Sequence, residues 1–147
     1  MTKYIDFILD FAKKVLDIPS PSGYTKNVVD FIEESASNLG YSSARTNKGN
    51  LIIDVDGKTD KVLGLSGHVD TLGAMVRSIT TDGNLKFTTI GGPIWPTLDG
   101  EYCQIRTRDN KTYTGTFLST SPASHVYTRM LLLKLEPLII WLLGLMK

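Results

Sequence analysis

The sequence predicts an α/β class joined to a small all-β unit, on three observations. Two amphipathic helical stretches open the chain, and short β-prone runs separated by turn residues follow. Between the two regimes lies residues 61–76, an apolar run that passes through small residues into His68 and Asp70. At 147 residues the chain is long enough for one ordinary domain or for part of a larger one.

Over residues 2–16, Ile5, Ile8, Leu9, Ala12 and Val15 recur at spacings of three and four, the stripe of an amphipathic helix, with Thr2 as N-cap. Ile18-Pro19-Ser20-Pro21-Ser22-Gly23-Tyr24 cannot continue that helix, because proline lacks the amide donor, and it reads as a structural turn. A second amphipathic helix spans residues 25–39, with Val28, Val29, Phe31, Ile32 and Ala36 as core candidates and Gly40 as its stop. Residues 41–46 and 51–55 read as strands around Asn47-Lys48-Gly49-Asn50, residue types that tolerate positive φ.

Residues 62–65 read as a short apolar strand that presents His68 and Asp70 just past its end. In open α/β sheets the carboxyl ends of strands are where ligands usually sit. Side-chain direction repeats every two residues on extended backbone, so the imidazole and the carboxylate can share a side. One ring nitrogen of His68 is then free to bind a metal while Asp70 accepts the proton of the other, which fixes tautomer and ring orientation. The plain alternative is a polar strand end.

A compact β unit starts near Leu72, with no flexible linker before it. Residues 75–79, 85–89, 102–107 and 113–118 are β-prone, separated by turns at Asp82-Gly83-Asn84, Gly91-Gly92-Pro93, Leu98-Asp99-Gly100 and Asp109-Asn110. Short strands at close spacing suggest a small barrel or sandwich.

Composition narrows the partners. With 16 basic and 15 acidic residues the net charge is +1, which gives no basic face for nucleic acid. The single cysteine, Cys103, excludes an internal disulfide and a thiolate metal cluster and fits a reducing cytoplasm. The acidic, helically spaced N-terminus does not read as an export signal.

Taken together, the motifs resemble one family. Ile18-Pro-Ser-Pro-Ser-Gly23, Asn47-Lys-Gly-Asn-Leu51, Gly67-His-Val-Asp-Thr-Leu-Gly73, Asp82-Gly83 and Ile90-Gly-Gly92 look like the first half of the dinuclear-metal glutamyl, deblocking or tetrahedral aminopeptidases. Members also carry endoglucanase or cellulase names. The order and spacing of the motifs over residues 1–127 carry the resemblance. It implies the N-terminal part of a mixed-sheet α/β metallopeptidase domain over residues 1–71, with an inserted barrel-like β domain for dimerisation and assembly over residues 72–127.

The resemblance further implies two divalent metal ions, zinc or cobalt, peptide substrates and a cytoplasmic homo-oligomer. His68 would be a ligand of one metal and Asp70 the carboxylate, counted with the catalytic residues, that orients it. Where the family commonly has Asp-Glu-Ile-Gly, this chain has Asp70-Thr71-Leu72-Gly73, a departure that touches neither site residue. The family's bridging aspartate, its general-base glutamate and its other ligands lie further along the chain and find no match here.

Residues 128–147 depart from the family pattern. They form an apolar block with no convincing amphipathic face, too short and too interrupted by Lys134, Glu136 and Pro137 for a membrane span. Back-translated with permitted codons and read one base out of frame, the block becomes a polar string resembling what the family carries at this point. A frameshift that left a truncated, inactive fragment is therefore expected. The non-enzymatic alternative is an oligomerisation or interaction module acting through the β unit. A glycanase reading is poorer, since no pair of carboxylates flanking a sugar site is recognisable. His125 could be a ligand but suits a structural or interface role better. Cys103 is expected to be packed, and Trp95 to be either an interface anchor or a loop-packing residue.

Overall fold

The computed structural model describes residues 2–120 and 139–143. The chain divides into two compact units, Met1–Gly73 and Ala74–Lys147. The α/β expectation holds, with two helices and two sheets among the described residues.

In the first unit, α1 spans Thr2–Asp17 and α2 spans Lys26–Asn38. The chain leaves α2 through Gly40 at φ 85°, a left-handed conformation that glycine adopts without a Cβ clash. There the Gly40 amide donates to the Ser37 carbonyl at 2.9 Å and the Tyr41 amide to the Ala36 carbonyl at 3.0 Å. These two bonds satisfy carbonyls that a helix end otherwise leaves open. Strands β1, Ser42–Arg45, and β2, Leu51–Asp54, form an antiparallel hairpin with Ser42 opposite Asp54 and Arg45 opposite Leu51. Gly49, at φ 86°, makes its turn as the residue types foretold.

The core of this unit is α2. Val28, Val29 and Ala36 are buried, while Phe31 and Ile32 are half-buried. The Phe11 ring of α1 stacks on Phe31 with centroids 5.6 Å apart. Arg45 of β1 pairs with Asp30 at 2.7 Å and with Glu33 of α2, tying the hairpin to the helix.

The apolar stripe of α1 is helical as expected; Ile5, Ile8 and Leu9 of it are exposed, and Ala12 and Val15 are half-buried. Periodicity reveals that a face is apolar but cannot supply the surface that covers it. Residues 62–65 are not a strand; they carry no regular structure, because no neighbouring strand among the described residues pairs with their amides and carbonyls.

In the second unit, β3 (Gly73–Ile79), β4 (Leu85–Ile90), β5 (Tyr102–Arg106), β6 (Thr112–Leu118) and β7 (Ile139–Leu143) form one sheet in the order β3-β4-β7-β6-β5. The β5–β6 turn uses Asn110 at φ 63°, a conformation that asparagine tolerates better than most residues. Leu85, Phe87 and Ile140 are the buried core, with Trp95, Cys103, Ile105 and Phe117 packed against it. Trp95 sits on a short 3-10 turn, Trp95–Thr97, where it is half-buried with its ring 5.9 Å from that of Phe87. Cys103 is packed as expected, and burial pushes its thiol pKa up.

Strand β7 comes from the apolar segment in which no face was apparent. It pairs with β4 on one side, where Leu85 lies opposite Ile140, and with β6 on the other, where Phe117 lies opposite Ile140. A central strand can be a continuous apolar run, which hides the alternation by which strands are recognised. His125 lies outside the described residues.

Candidate functional site

The site is built from two loops that the chain brings together in the first unit. One is the Pro-Ser turn after α1, and the other is the segment from His68 to Gly73. The Ser20 side chain is fully buried; its hydroxyl donates to the Val69 carbonyl at 2.8 Å, and the Thr71 amide donates to the Ser20 carbonyl at 2.9 Å. Pro21 and Thr71 form an isolated parallel bridge. Serine suits this position because its hydroxyl supplies a donor to the Val69 carbonyl of the facing segment.

Gly73 completes the junction. A Cβ placed there would lie 2.5 Å from the Cβ of Pro21, closer than carbon atoms can pack. The glycine of the His-Val-Asp-Thr-Leu-Gly stretch is therefore required by the close approach of the proline turn.

Clamped on both sides, Asp70 directs its two oxygens to different partners. Oδ2 accepts a hydrogen bond from the Ser22 hydroxyl, and Oδ1 lies 2.9 Å from Nδ1 of His68. Nδ1 is also 3.2 Å from the Asp70 carbonyl oxygen. The Ser22 hydroxyl, then the His68 imidazole, hold the Asp70 carboxyl below the usual carboxylate range, against a smaller opposing effect of burial. With Nδ1–H donating to the carboxylate, the lone pair of the neutral ring resides on Nε2.

The expected pairing of His68 with Asp70 is thus present. The Pro-Ser turn, read from sequence as structural, turns out to position Asp70 through Ser22 and Ser20. Only the tertiary contact shows this; the signal in sequence was the repeated serine in Pro-Ser-Pro-Ser.

The side chain of His68 is 86% exposed. Among the described residues no group of three or more His, Cys, Asp or Glu side chains gathers as a metal site. The donor chemistry of His68 fits one coordination position, and the described residues do not complete a set.

The sequence profile of the M42 glutamyl aminopeptidases matches residues 49–132, more than half of the chain, and the protein belongs to that family. It is 42% identical over 120 residues to YhfE of Bacillus subtilis, which carries an aminopeptidase name; the match covers 81% of this chain and 35% of that one. The TET aminopeptidase of a marine sediment Thaumarchaeota archaeon superposes with a TM-score of 0.78 at 22% identity, over 90% of this chain and 38% of that one. The TET1 peptidase of Pyrococcus horikoshii has a TM-score of 0.72 at 23% identity, over 90% and 39%. The chain therefore spans little more than a third of the length of these relatives. No helix among the described residues is long and apolar enough to cross a membrane.

Proposed function

We propose that the chain is the His-x-Asp portion of a metal-dependent aminopeptidase that removes N-terminal residues from peptides, and that by itself it is catalytically incomplete. The observation that carries this is the His68–Asp70 pair, with Nδ1 held by the carboxylate and Nε2 left as the donor. His68 would supply one metal ligand and Asp70 would orient it. When bound, a pair of divalent ions, zinc or cobalt, lowers the pKa of water and polarises a carbonyl. The part of this chain is to hold the imidazole in one tautomer, with Ser22 holding the carboxylate in turn.

Incompleteness is supported by the fraction of YhfE that the chain spans. A displaced reading frame from Thr128 onward accounts for the apolar C-terminal block, and the gene sequence tests it directly. A homo-oligomer formed through the β unit is supported by TET1, described as assembling into a tetrahedron or a large octahedral shell. Cytoplasmic residence fits the lone cysteine.

The test is metal content together with hydrolysis of aminoacyl-nitroanilides. The chain alone is expected to show neither stoichiometric zinc nor turnover, and both together would refute incompleteness. A chimera joining residues 1–120 to the rest of YhfE is expected to be active, and His68→Ala within it inactive. An inactive, folded chimera would sink the aminopeptidase reading.

A further inference from the structure

Aspartate is followed by glycine at three places in the chain, Asp56-Gly57, Asp82-Gly83 and Asp99-Gly100. This order of residues favours attack of a main-chain amide on the preceding side-chain carboxyl, because glycine has no Cβ to screen its nitrogen. All six residues are exposed, so access to water does not rank the three places, whereas their hydrogen bonds do. The Gly83 amide donates to the Thr80 carbonyl at 3.0 Å, and Oδ2 of Asp82 accepts from Nδ2 of Asn84 at 2.7 Å. The Gly100 amide donates to the Phe117 carbonyl at 2.8 Å, and Oδ1 of Asp99 accepts from the Ser119 amide at 2.8 Å. In both turns the amide and the carboxyl are held apart by separate partners. Among the described residues, neither the Gly57 amide nor the Asp56 carboxyl has such a partner.

We propose that Asp56 is a site of spontaneous isomerisation to isoaspartate, with water as the only other reactant. The Gly57 nitrogen attacks Cγ of the protonated Asp56 carboxyl; a carbon–nitrogen bond forms, and the carboxyl hydroxyl leaves with the amide proton as water. The product is a five-membered succinimide, which water then opens. Cleavage between nitrogen and Cγ restores aspartate. Cleavage between nitrogen and the main-chain carbonyl carbon of Asp56 leaves the chain running through Cβ and Cγ, one carbon longer, with the former carbonyl carbon as a free carboxylate. Ring closure requires the backbone and side chain of Asp56 to turn together. Strand β2 ends at Asp54, and residues 55–57 carry no regular structure that would resist this. At Asp82 and Asp99 the same reaction waits on local opening of a hydrogen-bonded turn.

The experiment ages the full chain in neutral buffer. Isoaspartate is read by methyl transfer from S-adenosylmethionine with an isoaspartate O-methyltransferase, and peptide mapping by mass spectrometry locates it. Asp56 is expected to convert about 10-fold or more faster than Asp82 or Asp99, since a paired amide reacts only in the fraction of molecules whose turn is open. In guanidinium, where no turn is held, the three rates should converge. Gly57→Ala is the second measurement. A Cβ at Gly57 meets only the Thr59 carbonyl oxygen, at 3.8 Å, so alanine fits the backbone there while screening the nitrogen. Conversion at residue 56 should then slow several-fold, with the far-UV circular dichroism unchanged.

The proposal is overturned if Asp82 or Asp99 converts as fast as Asp56 in the folded chain, or if isoaspartate at residue 56 forms only in guanidinium. It is equally overturned if Gly57→Ala, folded like the parent, converts at the parent rate, because the Gly57 nitrogen would then not be the attacking group. Asp56→Glu moves the carboxyl one carbon further out, so that attack would have to close a larger ring. That variant should lose the signal at residue 56 and keep whatever the other two aspartates give; a signal that persists undiminished in it would refute the assignment to Asp56.

Discussion

The hydroxyl of Ser22 donates to the Asp70 carboxylate across 48 positions of sequence, and the same carboxylate holds Nδ1 of His68. Two loops that look independent in the sequence therefore form one chain of hydrogen bonds that ends on an imidazole. Its first member is the cheapest to remove. Ser22→Ala takes away one exposed bond, so the melting temperature should move by little. Zinc affinity measured on the active chimera should fall by about 10-fold, as is typical when a carboxylate behind a ligand is left loose. Unchanged affinity would show that Ser22 does not position Asp70.

Gly73 tests the junction between the same loops. With the Cβ of Pro21 2.5 Å from where an alanine Cβ would sit, Gly73→Ala must push the proline turn away. A loss of about 1–3 kcal/mol is expected from urea unfolding of the chain, the usual range for overpacking. The double variant Pro21→Gly with Gly73→Ala should recover part of it, because the opposing carbons are gone.

The third prediction concerns β7. Ile140 is buried against Leu85 and Phe87 and lies opposite residues of both β4 and β6. Ile140→Ala should cost about 2–5 kcal/mol, the range for emptying a core aliphatic site. A variant as stable as the parent in urea would mean that β7 does not hold the sheet together.

Acid stability follows from Asp30. Hydrogen bonds from Lys26 and then Arg45 lower its pKa below the ordinary 3.8. A carboxylate depressed in the folded state contributes stability that is present above its unfolded pKa and lost as pH falls through the folded value. Asp30→Asn should therefore reduce the loss of stability on acidification below about pH 4, while changing the slope little above it. The check is urea midpoints collected across that window; parallel curves for parent and variant would remove Asp30 from the account.

Much of this protein was legible in its sequence, for a physical reason that is local. Helical spacing in residues 2–16 and 25–39, the Gly40 stop, and the turns at Gly49, Gly83 and Asn110 each depend on neighbours within a few positions. His68 and Asp70 were legible as a pair for the same reason, since two residues apart is itself a local relationship. What tertiary structure alone decided is everything that depends on a distant partner. It brought Ser22 to Asp70, required Gly73 to be small against Pro21, and placed Ile139–Leu143 between β4 and β6. It also left residues 62–65 open, because a strand exists only when another strand satisfies its backbone, and sequence can show the apolar run but not the neighbour.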